Sequence, residues 1–85
     1  MTGSVVLGGA VGLHARPAAE FVREAEKYRS RVRVGRDGMW VNGKSILALL
    51  TLAAETGANL TLEVTGEDEE VAFAVLKAKL ERDDG

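Results

Sequence analysis

The sequence predicts a two-layer α+β fold, in which a four-stranded, largely antiparallel sheet carries three helices on one face. Strand-like and helix-like patterns follow one another in the order β-α-β-β-α-β-α, an order that needs only hairpin or helical connections. A chain of 85 residues can bury one core but not two, so we expect residues 1–85 to form a single domain. Its 46% hydrophobic and 28% charged residues are typical of a globular protein and not of a disordered chain.

Four elements are predicted in the first half of the chain. Residues 4–7 are a short apolar run that ends at two glycines, which favours a buried strand. From Ala15, apolar residues recur at steps of three and four, which predicts a helix with one buried face. Residues 31–36 alternate polar and apolar side chains, as a half-exposed strand does. Asp37-Gly38 then favours a tight turn, and residues 39–42 return as the hairpin partner.

Three further elements complete the predicted fold. Ser45 can cap a helix that covers residues 46–54 and ends at Gly57. Residues 59–65 alternate again and predict the fourth strand, after which an apolar-rich helix extends to about Arg82. The charges of this last helix suit its dipole, with acidic side chains in the first turn and basic ones towards the end: Glu67, Asp68, Glu69, Glu70, Lys77, Lys79 and Arg82.

Composition and charge exclude several classes of function. Eleven basic residues against thirteen acidic ones give a formal charge of -2, so no global positive field attracts nucleic acid or anionic membranes. Without cysteine the chain has no disulfide, thiolate ligand or cysteine nucleophile, and one histidine is too few for an ordinary zinc site. We therefore predict neither metal nor cofactor. The N-terminus lacks the pattern of a signal peptide, so we expect a cytoplasmic protein.

His14, the only histidine, lies in the segment Gly12-Leu13-His14-Ala15-Arg16-Pro17-Ala18 at the start of the first predicted helix. The first amides of a helix have no partner inside it, and the positive end of the dipole favours anions there. The amides of Ala15 and Arg16 are the natural donors, because Pro17 has no N–H. Arg16 adds a planar guanidinium that suits phosphate oxygens. The segment therefore predicts a site for a phosphoryl group.

The imidazole of His14 can serve as a temporary phosphoryl acceptor. Near neutral pH its neutral form has a nitrogen lone pair, whereas a lysine is mostly protonated and a serine needs an added base. The chain has no second obvious acid or base, which favours acceptance and donation of a phosphoryl group over a complete catalytic cycle. The residues alone leave another interpretation open, in which His14 is only a solvated cap residue of a glycine-rich loop.

Two segments carry a resemblance to a known family. The segment around His14 resembles the active-site signature of HPr, the phosphocarriers of the bacterial phosphoenolpyruvate-dependent sugar phosphotransferase system. Asn42-Gly43-Lys44-Ser45-Ile46-Leu47 resembles the family's regulatory-serine segment. Their spacing, the chain length and the element order agree as well, so the resemblance covers residues 2–82. It implies an open-faced β-sandwich with strand order 1-4-2-3.

The resemblance also implies the chemistry of the site. His14 would accept a phosphoryl group on Nδ1 from phospho-enzyme I and pass it to the A component of a sugar permease, while Arg16 would steady the group. The chain would then be a carrier in a relay and not a stand-alone enzyme. Two alternatives stay open: a carrier in a nitrogen-related or dihydroxyacetone phosphotransferase chain, and a binding module without phosphotransfer.

One residue departs from the family pattern beside the predicted site. Val11 stands where many members carry a small polar residue, and its side chain cannot form a hydrogen bond with phosphate. We therefore expect the backbone amides and Arg16 to contribute more of the phosphate recognition than they would otherwise.

The helix after Ser45 is predicted to offer a surface to protein partners. It contains more apolar residues than one buried stripe requires, although a short helix sunk into a small core would also explain them. By the resemblance, this helix lies beside His14 and meets both enzyme I and the permease component. Leu47 and Leu50 are the predicted contacts. The basic residues that we expect around them are Arg16, Arg23, Lys27 and Lys44.

Ser45 itself has two interpretations. As an N-cap it would contribute about 1 kcal/mol to stability. In some bacteria the matching serine is phosphorylated by an ATP-dependent HPr kinase, and a dianion there would suit the helix N-terminus while repelling acidic partners. We expect the chain to be a monomer that has no nucleic-acid partner and does not insert into membranes.

Overall fold

The computed structural model describes residues 1–9 and 12–82. Its elements follow the predicted order, and they are β1 (Thr2–Val6), α1 (Ala15–Ala25), β2 (Arg31–Arg36), β3 (Met39–Asn42), α2 (Ile46–Leu50), β4 (Asn59–Thr65) and α3 (Glu69–Glu81). β1 begins and ends slightly earlier than the predicted strand over residues 4–7. Within the described residues, no helix is long and apolar enough to cross a lipid bilayer.

The four strands form one antiparallel sheet in the order β1-β4-β2-β3. β4, the last strand along the chain, lies between β1 and β2, and its Val64 is opposite Val32 of β2. β2 and β3 form the predicted hairpin, which turns at Asp37 and Gly38, both with positive φ. This strand order is the one that the resemblance implied.

The core lies between one face of the sheet and the three helices. Phe21 of α1 and Leu76 of α3 are fully buried against it, and burial of such a side chain stabilises the fold by about 1.5–3 kcal/mol. On the open face of the sheet, the Arg33 guanidinium lies 4.7 Å from the ring centroid of Trp40, and its Nε donates to Glu63 Oε1 at 2.6 Å. The predicted α+β class, with helices on one face of an antiparallel sheet, is confirmed.

α2 is shorter than the predicted helix over residues 46–54. It ends at Leu50, so Gly57 is not its C-cap. The amides of Leu52 and Ala53 donate to carbonyl oxygens only three residues back, at 3.1 Å each, which tightens the chain beyond an α-helix. Ala53 then takes a φ of 49°, and this left-handed residue ends the helical path before Ala54.

Arg36 of β2 holds this tight turn in place. Its Nη1 donates to the carbonyl oxygens of Leu52 at 3.1 Å and Ala53 at 3.0 Å. The next carbonyl oxygen, that of Ala54, accepts from the amide of Leu13 at 2.9 Å. The turn after α2 is thus joined to the sheet on one side and to the start of α1 on the other.

Candidate functional site

His14 is the N-cap residue of α1, at the predicted helix start. Its backbone is extended, with φ -116° and ψ -167°, and its carbonyl oxygen accepts the first helical hydrogen bond from the Ala18 amide at 2.9 Å. Within the described residues, its exposed imidazole makes no capping hydrogen bond. Helix capping therefore does not account for this side chain, which is exposed towards any partner that approaches.

The residues after His14 carry the donors that the sequence predicts for an anion site. Ala15 and Arg16 are exposed and lie in the first turn of α1, where backbone amides have no acceptor inside the helix. Pro17 follows without an N–H. The Arg16 guanidinium forms no ion pair with any residue in 1–9 or 12–82, so its donors are available to a ligand.

A pocket of about 380 Å³ opens beside these residues and is lined by His14 and Arg16. Its wall combines the loop before α1, the first turns of α1 and the C-terminal end of α3. Glu20 of α1 and Arg82, which follows α3, also line it, and their side chains approach to 3.3 Å across the pocket. The pocket includes the predicted acceptor in its wall and is wide enough for a phosphoryl group.

Backbone hydrogen bonds fix both ends of the loop between β1 and α1. At the β1 end, the Leu7 amide donates to Ala58 at 2.9 Å, and at the α1 end the Leu13 amide donates to Ala54 at 2.9 Å. Leu7 and Leu13 are also buried in the core. His14 therefore follows a loop whose two ends are held by backbone hydrogen bonds and by buried leucines. Val11, the departure from the family pattern, lies outside the described residues.

α2 presents one of its two predicted contact residues to solvent. Leu47 is 78% exposed, whereas Leu50 is half-buried and packs against the core, and Leu49 is fully buried. Ser45 is the N-cap, because its Oγ accepts from the Ala48 amide at 3.2 Å. The helix thus has an inward and an outward apolar side, and Leu47 dominates the outward one.

The basic residues expected around the docking surface differ in their surroundings. Arg23 is exposed, and Lys27 is exposed while its Nζ lies 3.3 Å from Glu24 Oε1. Lys44 is half-buried, and its Nζ donates to the carbonyl oxygen of Tyr28 at 2.7 Å. Of these three cations, Lys44 is the one whose charged group already binds the protein's own backbone.

Sequence reasoning did not predict Lys79, Glu20 or Arg82, three charged residues that line the pocket, as site residues. Lys79 of α3 lines it together with His14 and Arg16, although it was predicted only to complement the dipole at the end of the last helix. Nothing in the local pattern around Lys79 signals this, because its nearness to His14 arises from the packing of α3 beside the loop before α1.

A family model described as "PTS HPr component phosphorylation site" matches residues 1–82. The fold and the exposed histidine at a helix start thus define a phosphocarrier of the phosphotransferase system. The chain belongs to the HPr family.

Individual relatives agree with this assignment. The phosphocarrier protein HPr of Pseudomonas aeruginosa is 51% identical over 67 residues, 78% of this chain and 74% of that protein. The solved HPr of Bacillus anthracis has a TM-score of 0.91 at 38% identity and covers 94% of this chain and 95% of its own.

The HPr-like protein Crh of Bacillus subtilis is 47% identical over 72 residues, 85% of this chain and 85% of Crh. A crystal structure of Crh, with a TM-score of 0.78, is described as a swapped, intertwined dimer of a catabolite repression protein. The family therefore includes Crh, a relative that is described both as a catabolite repression protein and as a dimer.

Proposed function

We propose that this phosphocarrier accepts a phosphoryl group on His14 from phospho-enzyme I and donates it to the A component of a sugar permease. The observation that carries the proposal is the exposed imidazole of His14, which makes no capping bond within the described residues and shares a pocket with Arg16. Family membership supplies the partner classes. We expect this relay to operate in the cytoplasm.

The residues at the start of α1 suit this transfer. The lone pair of an imidazole nitrogen, Nδ1 in the family, attacks phosphorus, and the bond from phosphorus to the donor breaks with its electrons remaining on the donor. Arg16 and the amides of Ala15 and Arg16 bind the phosphoryl oxygens, and their fixed position on a helix end limits the reorganisation that transfer requires. Donation to the next protein reverses the same steps.

Incubation with phosphoenolpyruvate and enzyme I, followed by mass measurement at neutral and acid pH, tests the proposal. We expect one phosphoryl adduct that is lost in acid, as a phosphoryl group on imidazole nitrogen is. His14→Ala should abolish it without unfolding the protein, because the side chain is exposed. An adduct that persists in His14→Ala would overturn the assignment of the acceptor.

Arg16→Ala tests the binding of the phosphoryl group. Loss of a charged hydrogen-bond donor costs about 1.5–3 kcal/mol, so transfer from enzyme I should slow by roughly tenfold or more. Arg31→Ala is the matched control, because it removes an exposed arginine of β2 that does not line the pocket. Equal rates in the two variants would exclude Arg16 from the phosphoryl site.

A regulatory role is the second candidate, and the similarity to Crh favours it. Ser45 is then the residue that receives the signal, as a phosphoserine made by an ATP-dependent kinase. A phosphoserine dianion beside the backbone amides in the first turn of α2 would be stabilised there, and it would repel acidic partners from Leu47. A second incubation with the kinase and ATP, followed by the same mass measurement, tests this role, because an adduct on Ser45 requires the kinase and survives acid. We expect the carrier to be a monomer, unlike the Crh dimer.

A further inference from the structure

Lys79 places a second cation in the pocket that holds His14 and Arg16. It belongs to the last turns of α3, and its side chain is half-buried where it lines the pocket. We propose that the Lys79 ammonium binds the phosphoryl group of phosphorylated His14 from α3, while Arg16 binds it from α1. This inference rests on the proposed function and names a further residue of the same site.

The ion pairs around Lys79 favour this role. Lys77, on the same helix, lies 3.0 Å from Glu81 Oε2, and Arg82 lies 3.3 Å from Glu20 Oε1. In the part of the chain that the structure describes, Lys79 has no such carboxylate partner. The described pocket wall thus contains three cationic side chains, Arg16, Lys79 and Arg82, against one carboxylate. Of these three, Lys79 and Arg16 form no ion pair with any residue in 1–9 or 12–82.

The end of α3 is held firmly against the loop before α1. The Gly8 amide donates to the carbonyl oxygen of Leu80 at 2.8 Å. A Cβ on Gly8 would collide with the carbonyl oxygens of Glu81 and Arg82, so the two backbones are in direct contact. The backbone around Lys79 is therefore packed directly against the start of this loop, at Gly8.

This packing places the negative end of the α3 dipole close to the pocket, and the positive charge of Lys79 can offset it. The C-terminal carbonyls of a helix carry partial negative charge, and a phosphoryl dianion bound close to them is disfavoured. A lysine in the last turn compensates those carbonyls in any helix, which is the simplest explanation of Lys79. Its place in the pocket adds a second role, because the four-carbon stem lets the ammonium reach a new anion when His14 becomes phosphorylated.

Titration with inorganic phosphate tests the site without any enzyme. Phosphate should shift the amide resonances of Ala15 and Arg16 and the imidazole resonances of His14. In Lys79→Gln we expect the phosphate affinity to fall about twofold to fivefold, the range for a partly exposed ion pair. Lys77→Gln is the matched control, because it removes a lysine of α3 that does not line the pocket.

The phosphotransfer equilibrium with enzyme I gives a second readout. Lys79→Gln should lower the equilibrium ratio of phosphorylated to unphosphorylated chain by the same factor, and this loss should vanish near 1 M salt, where the Debye length is about 3 Å. A merely structural role would not give such salt dependence.

The outcomes separate this inference from the proposed function. If wild-type chain is phosphorylated but Lys79→Gln behaves like Lys77→Gln in both assays, Lys79 is no phosphoryl ligand and the carrier function stands. If phosphate binding depends on Lys79 but enzyme I does not phosphorylate the chain, the anion site stands and the relay is excluded. A wild-type titration without any shift overturns the inference directly.

Discussion

At the scale of single residues, Ala53 occupies a backbone conformation that glycine adopts more easily. Its φ of 49° is left-handed, which costs a residue with a Cβ about 1–2 kcal/mol. Ala53→Gly removes this strain but adds chain freedom in the unfolded state. We expect the free energy of unfolding to rise by about 0.5–1 kcal/mol, measured by urea denaturation.

Gly57 provides the matched control for that substitution. Its φ of 91° is also positive, and a Cβ there would meet no atom within 4 Å, so Gly57→Ala tests backbone strain alone. This variant should lose stability while Ala53→Gly gains it. A loss of stability in Ala53→Gly would show that the methyl group of Ala53 contributes more than its backbone strain costs.

At the scale of elements, α2 is a helix of five residues with an exposed apolar side chain. Leu47→Gln should leave the free energy of unfolding within about 0.5 kcal/mol, because Leu47 is 78% exposed. Association with enzyme I should weaken by about fivefold or more, measured as an increase in the KM of phosphotransfer, because burial of this exposed apolar side chain would favour association.

Val71→Gln is the control for α2, because Val71 is 53% exposed near the start of α3, at the end of that helix away from the pocket. It removes similar apolar surface and should leave the KM unchanged. An equal effect of both variants would mean that Leu47 acts through general surface hydrophobicity and not through docking.

The helices also show where sequence reasoning succeeds and where it stops. The hydrophobic periodicity of α1 and the alternation in β4 predicted the element order, because each pattern is local and directly reports the buried face. The end of α2 could not be predicted, because it depends on the left-handed backbone of Ala53. The carbonyl oxygen of Ala53 accepts a hydrogen bond from Arg36 of β2, which is distant in sequence. Helix propensity carries no information about that distant guanidinium.

The candidate site divides in the same way. His14 and Arg16 could be found because they share one segment with Pro17, and residues this close in sequence lie together at any helix start. Lys79 could not, since its place in the pocket depends on how the sheet order brings α3 beside the loop that follows β1.

At the scale of the whole molecule, carboxylates that join distant elements make stability depend on pH. Asp68 accepts hydrogen bonds from the Ser30 hydroxyl and from the backbone amides of Ser30 and Arg29. These hydrogen bonds hold the pKa of Asp68 below the ordinary value, and the bond from the Ser30 hydroxyl contributes most. The carboxylates whose pKa is lowered in the fold are Glu55, Glu63, Asp68 and Glu69.

The sign of the effect follows from those lowered pKa values. Such carboxylates stabilise the fold above their unfolded pKa of about 4, and the stabilisation is lost as pH falls through the lower folded pKa. The free energy of unfolding should therefore decrease on acidification. Asp68→Asn should flatten this decrease, and Asp37→Asn, an equal charge change in the β2–β3 turn, should not. Identical pH profiles for both variants would argue against Asp68 as a contributor.

The position of β4 between β1 and β2 also affects how the protein can be made. A ribosome releases the chain from its N-terminus, so His14 emerges long before Asn59, which pairs with Val6, and Leu80, which binds Gly8. Contacts so distant in sequence form only after the intervening chain is available. The segment around His14 is therefore among the first to be translated and among the last to acquire the walls of its pocket, and a nascent chain that stops before α3 has an incomplete pocket beside His14.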